Sequence, residues 1–112
     1  MYKREEVSTR EKELMKKIEL EHDLFRYRIL SGNNQSIYNA CNQIRVYECL
    51  YEYFCYKEDI NKEYIKLMCG NDWVLETLHQ LYLKYEYLDV GTWSDIDELL
   101  EVYRVECEKK CL

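Results

Sequence analysis

Apolar residues recur along this chain at intervals of three and four, in blocks closed by glycine or by short polar runs. That is the period of an α-helix with one side turned to a core. In the first block Leu14, Met15, Ile18, Phe25 and Ile29 share one stripe. Ser8 and Glu11, at the S-x-x-E spacing of a capping box, precede it, and together they predict a helix over 9–30. It stops at SGNN, where Gly32 is expected to take the left-handed conformation that ends helices.

The segment 36–57 contains the run VYECLYEYFCY (46–56). As a strand it alternates only partly, although aromatic residues favour strands. As a helix it places Ile37, Ala40, Cys41, Ile44, Tyr47, Tyr51, Phe54 and Cys55 on one stripe over five turns, with no turn residue inside it. Length decides for the helix. The other side then carries Tyr38, Val46, Cys49, Leu50, Tyr53 and Tyr56, leaving a narrow polar strip of Arg45, Glu48 and Glu52. A helix apolar nearly all round is normally buried, so this one is expected at the centre of the fold. The alternative is that its tyrosine-rich side stays exposed as a partner surface or homodimer seam, because tyrosine offers large contact area with little rotamer freedom to lose.

Three further helices follow. Asp59 is expected to cap a short one over 60–69, with Ile60, Tyr64, Leu67 and Met68 on one side and Gly70 at its end. Asn71 or Asp72 is expected to cap the next, where Val74, Leu75, Leu78, Leu81, Tyr82 and Tyr85 form a broad stripe that ends at VGT, with Gly91. Ser94 with Asp97 signals the last, over 95–110, with Ile96, Leu99, Leu100, Tyr103 and Cys107 inward. The fold class is therefore all-α, a small bundle of four to five helices around a central second helix. It forms one domain over 1–112, with 1–8 and 109–112 expected to fray.

Composition agrees with that reading. A chain of 112 residues, 47% hydrophobic and 34% charged, can bury a single core beneath a well-solvated surface. Proline is absent and glycine occurs three times, so the strongest helix breakers are nearly missing. There is no run of 18 apolar residues, and no hydrophobic segment follows the charged amino terminus. The expectation is a cytoplasmic protein without a signal peptide and without a membrane role.

Candidate chemistry is sparse. Six cysteines are present, but none are paired at C-x-x-C spacing, and in a reducing compartment they are expected as thiols. Cys107 and Cys111, one turn apart, would supply only half of a zinc site, and no local spacing adds the other ligands, so no metal site is assigned. His22 and His79 lack a neighbouring nucleophile or paired acid and are expected as packed core-edge residues. With no phosphate loop, paired inward acids or His/Cys/Asp cluster, neither a cofactor nor a catalytic residue is assigned, and a binding role is expected rather than an enzymatic one.

Charge changes the picture more. Residues 1–56 carry nine basic and nine acidic side chains, whereas 57–112 carry seven and thirteen, so the whole net charge of −6 lies in the second half. From Glu86 to Glu108 there are eight acids and one base. Such a surface repels phosphates, so direct nucleic-acid binding is not expected, although the amino-terminal KR and KK pairs leave a small local basic site. One reading is a solvated helix face that keeps the protein soluble. The functional reading is that carboxylates spaced along a rigid helix dock into a basic groove built for nucleic acid. Short acidic inhibitors from phages and mobile elements, some anti-CRISPR proteins among them, work in this way.

The segments ELMKKIELEHDLF (13–25), SIYNAC (36–41), LETLHQLYLKYE (75–86) and SDIDELLEVY (94–103) occur in an order that resembles an uncharacterised family of short helical domains of gut Firmicutes and their mobile elements. The resemblance spans about residues 13–105 and implies a helical fold and a mobile-element setting, but no activity. The expected function is a small acidic protein-binding module, an inhibitor of a nucleic-acid-directed host defence enzyme. Asp95, Asp97, Glu98 and Glu101 are the expected contacts, with Tyr53 and Tyr56 as aromatic anchors. The alternative is a structural homo-oligomer sealed by the tyrosine face.

Overall fold

In the computed structural model the helical period is realised as α1 (Tyr2–Leu30), α2 (Asn34–Asn39), α3 (Cys41–Tyr56), α4 (Lys62–Cys69), α5 (Val74–Lys84) and α6 (Trp93–Cys111). The backbone is described for residues 2–85 and 87–111, and side chains for residues 10–85 and 87–109. No strand occurs among the described residues. The protein is an all-α bundle in which α1 lies across α3, α4 and α5, while α3 and α5 pack on each other and on α6. Much of the expected end fraying, 1–8 and 109–112, and the Ser8 side chain proposed as a cap fall outside the described side chains. The backbone of α1 runs through Ser8 and begins at Tyr2.

The predicted second helix is two. Ala40, at φ −93° and ψ 4°, leaves the helical path, its N–H shared by the carbonyls of Ser36 and Ile37, and α3 starts beyond it. Alanine is the best helix former, so nothing local marks this bend. Helix α2 packs against both α1 and α3, and tertiary contacts of this kind override a propensity of a few tenths of a kcal/mol. The face that α3 buries also differs from the expected stripe. Val46, Tyr47, Leu50, Tyr53 and Phe54 are buried, whereas Cys41, Cys55 and Tyr56 are exposed. The core face thus straddles the two apolar sides read from the sequence, because the neighbouring helices select one arc of a helix that offers two.

No described glycine is left-handed. Gly32 sits instead at a close approach, where a Cβ would lie 3.1 Å from Ser36 Cβ and 3.3 Å from the Ile29 carbonyl oxygen, tighter than ordinary contact. The left-handed residue is Asp59, at φ 60°, a conformation that aspartate tolerates. It therefore turns the α3–α4 connection, and Asn61 caps α4 by accepting the Glu63 N–H at 2.8 Å. The buried cluster draws on α1, α3, α4, α5 and α6, and on Leu88 and Val90 in the α5–α6 connection. No helix among the described residues is long and apolar enough to cross a membrane.

Candidate functional site

The residues expected to meet a partner are mostly engaged inside the molecule. Tyr53, expected as an aromatic anchor, is 0% exposed and donates its hydroxyl hydrogen bond to Asp97. That placement corrects the expectation, since a side chain walled in by the core cannot touch a partner. Burial and the Asp97 carboxylate both push the Tyr53 hydroxyl's pKa upward. Tyr56, three residues on, is 72% exposed and free to make contacts.

The acidic row is spent in a similar way. Asp97 also lies 3.9 Å from the Lys57 ammonium. Asp95 accepts the Asp89 N–H at 2.8 Å and secures the α5–α6 connection. Glu101 accepts the Tyr64 hydroxyl at 2.6 Å and the Arg104 guanidinium, which also pairs with Glu108. The Arg104 hydrogen bond, with that of Tyr64, holds Glu101 down to about 2, and burial with the Glu101 hydrogen bond lifts Tyr64 to about 12. Of the four expected acidic contacts, Glu98 alone is exposed and without a hydrogen bond among the described residues.

A second cluster, unmarked by local spacing, lies where α1, α3 and the start of α5 meet. Helix α5 has no side-chain cap of its own, because the residue ahead of it is Trp73 and the expected Asn71 turns back to accept the Trp73 N–H at 2.8 Å. The cap comes from α1. Glu21, buried, accepts the Leu75 N–H on one carboxylate oxygen and the Glu76 N–H on the other, each at 2.8 Å. These are donors that a helix start leaves without partners, and a carboxylate also suits the positive end of the helix. Burial raises the Glu21 pKa, and the two backbone N–H groups hold it back only partly.

Glu76 then gathers the next layer. It accepts the hydroxyl of Tyr47, the amide of Gln80 at 2.8 Å and that of Gln43 at 3.4 Å. Burial raises its pKa, but the Tyr47 and Gln80 hydrogen bonds together with His79 and Arg28 outweigh burial, so the net direction is down. Tyr47 is buried and tilted against Phe25, with centroids 4.1 Å apart, and its pKa rises through burial and the Glu76 contact. His79 meets the edge of Tyr47, and burial lowers its pKa. His22 is likewise packed, stacked on Tyr51 at 4.1 Å with Nε2 2.8 Å from Glu48. Both histidines sit as packed residues at the core.

Above this cluster opens a pocket of about 460 Å³ lined by Glu21, Leu24, Phe25, Arg28, Tyr47 and Trp73, among others. Its rim continues outward. Leu20 and Tyr27 stand on the side of α1 opposite Ile18 and Phe25, with Leu24 between them and the pocket, and the three are 62%, 75% and 48% exposed; Trp73, 55% exposed, shares the pocket lining with Leu24. The signal for this surface lay in the sequence as a second leucine–tyrosine stripe on the first helix. It was hidden there because only the folded neighbours show which stripe is covered.

Among the described residues no group of three or more His, Cys, Asp or Glu could hold a metal ion. Cys107 is half-buried, and the side chain of Cys111 lies outside the described residues. Compared with known proteins, the chain matches no family model, no curated protein and no solved structure.

Proposed function

We propose that this chain is a protein-binding module, without catalysis, that docks its partner on the outward face of α1. The observation that carries the proposal is the line of Leu20, Leu24 and Tyr27, exposed on a helix whose other side is fully packed and continuous with Trp73 at the pocket rim. Large aliphatic and aromatic side chains contiguous on a surface, with charged residues around them, are the usual make-up of a contact site. A cytoplasmic setting fits the five described cysteines, which form no disulfides. A photo-cross-linking residue at Leu20 is expected to give a protein adduct in cells that make the chain, and the same residue at Lys62, on α4, is not. Equal adducts from both positions, or none from Leu20, would overturn the proposal.

A second reading keeps the inhibitor role, in which a mobile-element protein blocks a nucleic-acid-directed defence enzyme with its acidic end. The surplus of acids between Glu86 and Glu108 favours it. Because Asp95, Asp97 and Glu101 have internal partners, the reading rests on Glu98 as its free carboxylate among the four. Charge reversal there, Glu98→Lys, is expected to slow capture of a basic target and to weaken its salt dependence while leaving the fold unchanged. Unaltered association kinetics would leave the acidic end as a solubility device.

A further inference from the structure

We infer that the pocket between α1, α3 and the start of α5 is a binding site for a small organic cation, an ammonium group carried on a flat apolar body. This goes beyond the docking face, since it concerns the cavity beside that face and needs no protein partner. Two carboxylates, Glu21 and Glu76, line the pocket against one guanidinium, Arg28, which leaves negative charge in excess. Three aromatic side chains, Phe25, Tyr47 and Trp73, share the lining, and an aromatic face attracts a cation through its quadrupole. The protein already uses that attraction. The Arg28 guanidinium lies over the Phe25 ring, 5.5 Å from its centroid, and has no ion-pair partner among the described residues.

An anion finds no comparable place. The start of α5, whose N–H groups would otherwise draw one, is already taken by Glu21, which accepts the Leu75 and Glu76 N–H groups at 2.8 Å each. Arg28 is then the one cationic side chain in the described lining, and it shares that lining with two carboxylates. A neutral apolar ligand would cover those carboxylates without a counter-charge, which costs free energy. Glu76 is also held in position by the Tyr47 hydroxyl and the Gln80 amide, donors that carry no charge and so fix the carboxylate without neutralising it. A group ordered in advance loses little freedom when a ligand arrives. The volume of about 460 Å³ lies within the range of small-molecule sites, and Trp73, 55% exposed, has ring surface for a flat ligand to cover.

Heteronuclear NMR titration of the purified full chain tests this with three probes of one shape: phenethylamine, phenethyl alcohol and hydrocinnamate, which are cationic, neutral and anionic at pH 7. Phenethylamine is expected to shift the Trp73 indole N–H and the Leu75 and Glu76 amides saturably, with a dissociation constant of roughly 1 mM. The alcohol is expected to bind about tenfold more weakly and hydrocinnamate not at all. Glu76→Gln should weaken phenethylamine about fivefold, whereas Arg28→Ala should tighten it about threefold by removing the like charge. The comparison of probes on the unaltered chain stands even if a variant fails to fold. Equal affinity for all three probes would reduce the site to an apolar crevice and overturn the inference. Preference for hydrocinnamate, lost in Arg28→Ala, would make it an anion site and overturn it too, as would the absence of any saturable shift by about 10 mM. The cross-linker at Leu20 reports on the docking face separately: an adduct there without amine binding sinks the pocket alone, and amine binding without an adduct sinks the docking face alone.

Discussion

Tyr53 shows what one residue does in this fold. Its ring fills the centre of the core beside Phe54, at a centroid distance of 5.2 Å, while its hydroxyl reaches the Asp97 carboxylate on α6. Tyr53→Phe keeps the packing and removes the bond, so a loss of about 1 to 2 kcal/mol in urea unfolding is expected. Tyr53→Glu, which a tyrosine seam on the second helix would have suggested as a test of dimerisation, places a charge inside the core and is expected to unfold the domain instead. The pairing of Tyr53 with Asp97 was not legible in the chain. Tyrosine suits cores and interfaces equally, and the two residues lie 44 positions apart.

At the scale of elements, the distinctive feature is a helix capped by its neighbour. Because Glu21 satisfies the Leu75 and Glu76 N–H groups, Glu21→Ala is expected to cost about 2 kcal/mol, with Glu21→Gln costing less because it keeps one acceptor. Hydrogen exchange should speed first at the start of α5, since that is where the donors lose their partner. Uniform acceleration across all helices would count against a local cap. Helix order was legible because each stripe is long and repeats at 3.6 residues; the number and some ends were not, since the described residues form six helices where four to five were expected and α5 stops at Lys84 rather than running on to VGT. The caps were less so, since Asn61 does the work expected of Asp59, and Glu21 that expected of Asn71 or Asp72. A cap supplied across 54 positions leaves no local spacing to find.

At the scale of the whole molecule, carboxylates set the response to acid. Glu101, held to about 2 by Arg104 and Tyr64, is ionised in the folded state at pH values where the unfolded chain has taken up a proton. Its contribution is therefore present above the ordinary carboxylate range and lost as pH falls toward about 2. Asp89, lowered first by the Gly91 N–H, and Glu76 act in the same direction. Glu21 has the opposite sign: burial raises its pKa, so the unfolded chain gives up this proton first and Glu21 weakens stability as pH rises through the folded value. Three lowered groups against one raised predict a melting temperature that falls between about pH 5 and pH 2. Glu101→Gln should flatten that fall; an unchanged slope would show that Glu101 is not tied to Arg104 and Tyr64 in solution. The all-helical class, the single core and the uneven charge could be read from the residues alone, because they follow from periodicity, length and composition, which are local or additive. Packing between helices sets which of two apolar arcs on α3 turns inward, where the second helix bends, which acids are consumed by tyrosines and which leucines of α1 stay in water. Those outcomes depend on neighbours distant along the chain, and a helix with apolar residues on two sides does not say which side its neighbours will cover.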